Sequence, residues 1–251
     1  MILARVGRAL RSHDWFTALI ELVLLVIGIF FGFQLDRWND ERLDRESADE
    51  YRVQLISDLK VERSDITSLI EYHETVRDYA EVALAAWDKQ PLADPGDLVV
   101  ALYQASNVLP FTSARGAYDA LAANGLIDLI GDPALRSRLA SYYGQATNRV
   151  FEEEKRYRRE VRGVMPIDVQ RRVLDNCVVL STDTSISESL SSNCDLDLDP
   201  DYLAAVLESI KRHPNLRNYL REGVSRDSIF IYLMTAKLAF IDKLLEELQS
   251  I

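Results

Sequence analysis

The chain has 251 residues, 48% of them hydrophobic, and a formal net charge of −11. That apolar content supports a packed core and argues against wholesale disorder. Residues 1–42 carry five arginines against five acidic residues, so the whole negative excess falls on residues 43–251. A surface of that sign repels phosphate backbones, and nucleic acid is excluded as an expected partner.

Residues 1–14 form a short basic lead-in with Arg5, Arg8 and Arg11. Phe16 to Leu35 then reads FTALIELVLLVIGIFFGFQL, with Glu21 and Gln34 its only strongly polar side chains. As a helix this stretch spans roughly 30 Å, one hydrocarbon core, and it has no polar face. It ends without a small-residue cleavage pattern and exceeds the length of a signal-peptide core, so it predicts an uncleaved anchor. Trp15 and Trp38 bracket it as interfacial aromatics do, which sets a transmembrane helix over 15–38. Lipid bilayer is therefore an expected partner. Glu21, Leu25, Gly28 and Gly32 follow one another at spacings of four, three and four and share a face. Gly28 and Gly32 make a GxxxG stripe on which a second helix can approach closely, a seam for a homo-oligomer or a membrane-protein partner.

No glycine or proline interrupts residues 33–90, and Ile66, Leu69, Ile70, His73, Val76, Ala80, Ala83 and Trp87 trace a helical stripe. One long helix from Asp36 to about Trp87 is expected, continuous with the membrane segment. His73 lies on the stripe, which suits a core histidine with a backbone partner. Pro91, Pro95 and Gly96 predict a turn, with Asp97 capping a helix over Leu98 to Asn107. A helix over Ser113 to Asn124 is stopped by Gly125. Asp132-Pro133 is a helix start, an N-cap followed by proline, and Leu135, Leu139, Tyr142, Ala146, Val150, Tyr157 and Val161 carry one buried face to about Gly163. The acid and base blocks from Glu152 to Arg162 predict a solvated, ion-paired face. Short helices follow from Pro166 to Asn176 and from Pro200 toward Pro214. Leu216 to Leu248 closes the chain, with a break expected near Gly223. No segment alternates with a strand's period, so the expected class is all-α. One transmembrane helix continues into a long helix, and an acidic helical domain spans 39–251 with a polar loop over 177–199.

Sixteen residues, rich in serine and threonine, lie between Cys177 and Cys194. A pair closing a polar loop predicts a disulfide and an oxidising compartment. With the arginines ahead of the span, this points to a cytoplasmic N-terminus over 1–14 and an extracytoplasmic domain. Asp195, Asp197, Asp199 and Asp201 alternate in CDLDLDPD. The stretch lacks the glycine and glutamate of a calcium-binding EF-hand loop, and it reads as an acidic loop ending in an N-cap. Zinc, nucleophile-elbow and phosphate-loop motifs are missing, so no catalytic residue, cofactor or metal is assigned and an enzyme is not expected.

Two stretches carry a resemblance. The first is Glu21-Leu-Val-Leu-Leu-Val-Ile-Gly-Ile29 running to Gln34-Leu-Asp-Arg-Trp-Asn-Asp-Glu-Arg42. The second is Ala117-Tyr-Asp-Ala-Leu-Ala-Ala-Asn-Gly125 with Leu129-Ile130, Leu135-Arg136 and Tyr142-Tyr143. Together they resemble an uncharacterised family of bacterial single-pass membrane proteins. The resemblance implies an architecture and no activity; with the orientation derived above, the expected location is the bacterial inner membrane, with the bulk of the chain periplasmic. In the second stretch a helical hairpin would bring Tyr118 and Leu121 against Tyr142 and Tyr143. A pocket there would be lined by Arg115, Tyr118, Asn124 and Tyr142.

These observations predict a membrane-anchored helical interaction protein, an accessory or scaffold subunit acting through protein partners. The alternative is a periplasmic small-molecule sensing or binding module on a membrane anchor. Against a sensor stands the short N-terminal segment, which supplies no output domain, so such a protein would signal through a partner.

Overall fold

A computed structural model describes residues 15–87, 94–144, 155–181, 187–190 and 194–250. The protein is mostly helical. Its frame is α1 (Trp15–Trp87), a single helix of 73 residues. Residues 19–46 of α1 are exposed throughout, and packing begins at Ala48. The exposed part contains the one segment among the described residues that is long and apolar enough to cross a membrane. Gly28, Gly32, Leu25, Glu21 and Trp38 all lie in it.

The packed part of α1 pairs with α8 (Leu216–Gln249). The pairing is antiparallel: Arg52 Nη1 donates to Leu248 O at 3.0 Å, Arg63 Nε to Asp242 Oδ1 at 2.7 Å, and His73 Nδ1 lies 3.0 Å from Asp227 Oδ1. The sequence period explains this. Leu55, Leu59, Glu62, Ile66, Leu69, His73, Val76, Ala80 and Ala83 recur every four and three residues, and all are buried. On α8, Leu220, Gly223, Asp227, Phe230, Met234, Lys237, Ile241, Leu244 and Leu248 repeat the same spacing. Two such stripes face each other as in a coiled-coil seam. Gly223 is buried within α8, which runs unbroken where a break was expected; nearby packing offsets its low helix propensity.

Shorter helices cover the pair. They are α2 (Pro95–Gln104), α3 (Gly116–Ala123), α4 (Pro133–Gly144), α5 (Arg156–Val164), α6 (Ile167–Cys177) and α7 (Pro200–Arg212). Asp94, not Asp97, caps α2, because Pro95 suits the first helical position; Asp94 Oδ1 accepts from Gly96 N at 2.7 Å. Pro95 and Gly96 are thus helical rather than part of a turn, and Pro91 lies outside the described residues. Gly125 has φ +71°, and Leu126 N donates to Leu121 O, closing α3 as a left-handed C-terminal glycine does. Asp132 Oδ1 accepts from Leu135 N at 2.7 Å and caps α4. The single helix expected from Asp132 to Gly163 is instead α4 and α5, with Lys155 extended before α5. Ala146, Val150 and Glu152 lie outside the described residues.

A two-stranded antiparallel hairpin lies within the stretch expected to be a polar loop. Here β1 (Val178–Ser181) pairs with β2 (Ser187–Leu190), Val178 opposite Leu190. Each strand has only four residues, and β1 opens on two adjacent valines, so no alternating period stands out in the sequence. Cys177 and Cys194 are bonded across the hairpin's base, with Cα atoms 5.2 Å apart. The described residues contain no cluster of three or more side chains suited to a metal ion, the acidic Asp195–Asp201 stretch included.

Two hydrophobic cores result. One gathers α2, α5, α6 and α7 around the distal part of α1 and the start of α8, with Tyr157, Leu102, Leu207 and Leu220 at its centre. The other gathers α3 and α4 around the middle of α1 and the end of α8, with Leu121, Leu139, Leu59 and Ile241 at its centre. The disulfide closes its loop beside the first core, where Cys177 is fully buried. Reducing it, or replacing both cysteines by alanine, is expected to lower the unfolding free energy by about 3 kcal/mol through the entropy of the longer free chain. Denaturant unfolding with and without reductant measures this, and an unchanged midpoint would contradict it.

Candidate functional site

Polar residues interrupt both seam stripes, and they meet one another. His73 and Glu62 come from α1; Asp227 and Lys237 come from α8. They form two buried groups.

The first group lies where the two cores meet. Lys155 Nζ donates to Asp227 Oδ1 at 2.7 Å, to Asp227 Oδ2 at 2.8 Å and to Asn107 O at 3.1 Å. All three ammonium protons therefore have acceptors. His73 Nδ1 faces Asp227 Oδ1, and its Nε2 faces Leu109 O at 3.0 Å. Arg162 extends the network, donating to Ser106 Oγ at 2.9 Å and to Asn107 Oδ1. Burial pushes the Lys155 ammonium down in pKa, against the pull of Asp227. The segment from Lys155 to Arg162 is thus only in part the solvated, ion-paired face its charges suggest: Arg156 and Arg159 are exposed and Arg159 pairs with Glu160 at 3.5 Å, while other side chains turn inward. Lys155, Tyr157 and Val161 are buried, and Tyr157 Oη donates to Leu102 O at 2.9 Å.

The second group is centred on Glu62, fully buried on α1. Its Oε1 accepts from Ser113 Oγ at 2.9 Å and from Tyr142 Oη at 2.6 Å, and Lys237 Nζ lies 3.7 Å away. Lys237 Nζ also sits over the Tyr142 ring at 4.0 Å and the Phe111 ring at 4.8 Å. Burial lowers the Lys237 pKa, while Glu62 and the ring faces favour its charged form. Burial likewise raises the Tyr142 phenol, and Glu62, accepting its proton in a hydrogen bond, raises it further.

Between these groups lies a cavity of about 900 Å³. Its apolar wall includes Phe111, Phe230, Leu233, Met234 and Phe240. Its polar positions include His73, Asp227 and Lys155 at one side and Lys237 at the other, with Arg226 and Arg115 also lining it. Arg115 is committed to neighbours, donating to Tyr143 O at 2.7 Å and to both oxygens of Asp119.

Of the four residues expected to line a pocket, Arg115 and Tyr142 do so. Tyr118 instead stacks on Tyr143, ring centroids 4.4 Å apart. Asn124 is exposed at the end of α3 and donates to Ala120 O, away from the cavity. The helical hairpin does bring Leu121, Tyr142 and Tyr143 into one core. Sequence reading missed Glu62, Lys155, Asp227 and Lys237. The available signal was a charged side chain at a position where the four-three repeat calls for an apolar one.

Comparison of the chain with protein-family models, with curated proteins and with solved structures yields no match. The two motifs of the resemblance described above therefore stand on the sequence alone.

A buried ion pair that loses one member leaves an uncompensated charge. Asp227→Ala is therefore expected to cost about 3–5 kcal/mol of stability. Asp242→Ala, which removes the half-exposed partner of Arg63, should cost under about 1 kcal/mol. Chemical unfolding followed by circular dichroism measures both, and equal small losses would contradict the assignment of Asp227 as the keystone of the network.

Proposed function

We propose that this protein is a membrane-anchored binding module whose extracytoplasmic helical domain holds a small molecule in the cavity between α1, α4 and α8. The observation that carries the reading is the cavity: its volume falls in the range of small-molecule sites, and its wall is mostly aromatic and aliphatic with a few placed polar groups. The exposed apolar segment of α1 supports the anchor, and the Cys177–Cys194 bond supports an oxidising compartment.

The test is native mass spectrometry of the full chain in lipid nanodiscs. The parent is expected to carry a bound small molecule, and Leu233→Trp, which fills the cavity, is expected to lose it. A parent that carries nothing, and that no member of a metabolite screen stabilises against heat, would contradict the reading.

One observation favours a second role, as an accessory or scaffold subunit. Side-chain atoms placed on Gly28 and Gly32 would meet nothing within 4 Å, so this stripe is open to a neighbouring helix. Gly28→Ile with Gly32→Ile is expected to weaken self-association or partner binding tenfold or more without impairing insertion, whereas Val26→Ile with Phe33→Ile should change little. A membrane two-hybrid assay measures this, and equal association of the two double mutants would remove the seam. Orientation is tested separately. A reporter fused after Ile251 is expected to be active only outside the cytoplasm, and activity in the cytosol would contradict the extracytoplasmic assignment.

A further inference from the structure

We infer that the cavity takes a hydrophobic monoanion, an aryl or branched-alkyl carboxylate whose charged end meets Lys237 and whose apolar body lies along Phe111, Phe230 and Phe240. This inference rests on the proposed binding role.

The cationic side chains that line the cavity differ in how their protons are held. Lys155 has all three protons on Asp227 and Asn107. Arg115 is held by Asp119 and by Tyr143 O. Lys237 differs from both. Its nearest carboxylate oxygen, Glu62 Oε1, is 3.7 Å away, beyond hydrogen-bond length. That oxygen is already shared by Ser113 and Tyr142. The remaining contacts of Lys237 Nζ described here are the faces of Phe111 and Tyr142, which attract a cation without accepting a directed hydrogen bond of ordinary strength. An ammonium in the wall of a cavity, held by aromatic faces and with protons to spare, fits an incoming anionic oxygen.

Charge permits the same class. Arg115, Lys155, Arg226 and Lys237 line the cavity beside Asp227, and Asp119 and Glu62 lie behind Arg115 and Lys237, so four cations meet three carboxylates there. The apolar wall supplies the second requirement. It would desolvate the ligand's body and strengthen the contact with Lys237, while a small hydrophilic anion would leave that wall unfilled. One lysine, paired at 3.7 Å with Glu62 but without a close acceptor there, suits a single negative charge.

The test is isothermal calorimetry of the full chain in nanodiscs with 2-naphthoate and with 2-naphthamide, empty nanodiscs being the blank. Naphthoate should bind at least tenfold more tightly than the amide. In Glu62→Gln with Lys237→Met, which removes both charges and strands neither, that preference should fall below threefold. Lys237→Arg should retain it. Equal affinity for acid and amide would overturn the charge assignment and leave the binding role standing. Binding of neither probe by a chain that carries some other small molecule would overturn the ligand class alone. Binding of neither by a chain that carries nothing would overturn both. An undiminished preference in the double variant would overturn the role of Lys237.

Discussion

The rest of the structure depends on polar side chains placed at seam positions of two long helices. The pairing of α1 with α8 is driven by apolar residues every three and four positions. Such a repeat by itself permits several registers, since a shift by one heptad restores apolar contacts. Glu62, His73, Asp227 and Lys237 make the registers unequal. In the observed one, His73 meets Asp227 and Glu62 faces Lys237. A heptad slip would bury at least one of these charges without a partner, at a cost of several kcal/mol.

The same polar positions account for the cavity. An aliphatic seam closes until its side chains interlock. Here the layer of Asp227, Lys155 and His73 ends one core, and the Glu62 group, with Tyr142 and Ser113, marks part of the other. Covering helices α3 and α4 pack around the second core, while α2 and α5 to α7 pack around the first. The segment that joins α2 to α3 passes between them and contributes Leu109, Phe111 and Ser113, which meet His73, Lys237 and Glu62. Space remains where this irregular segment, rather than a helix face, forms the wall.

Much of this architecture was legible in the residues. The absence of glycine and proline between 33 and 90 announced the long helix, and Asp132-Pro133 and Asp199-Pro200 marked two helix starts through capping chemistry that is local. The tyrosine pair on α4 announced a core position. What escaped depends on tertiary contact. The charges of Lys155 and Arg162 resemble a solvated face until Asp227, Asn107 and Ser106 are brought against them from elsewhere in the chain. The strands β1 and β2, four residues each, are too short to show a period. In the sequence Lys237 is one charge within the apolar run from Ile229 to Ile241, and only the fold supplies Phe111 and Tyr142 around it. Tyr118 and Asn124 were grouped with Arg115 by nearness in sequence, yet a helix turns successive residues to different sides.

The most direct measurement is a double-mutant cycle on Glu62 and Lys237, each replaced by leucine, with unfolding free energy and occupancy of the cavity read on the same samples. If these charges fix the register at the expense of packing, each single variant loses about 3–5 kcal/mol by stranding its partner, and the double variant recovers most of that loss. The double variant should also lose an acidic small molecule, because no ammonium of Lys237 remains in the cavity wall. Single losses that simply add in the double variant, with the cavity still occupied, would contradict the account.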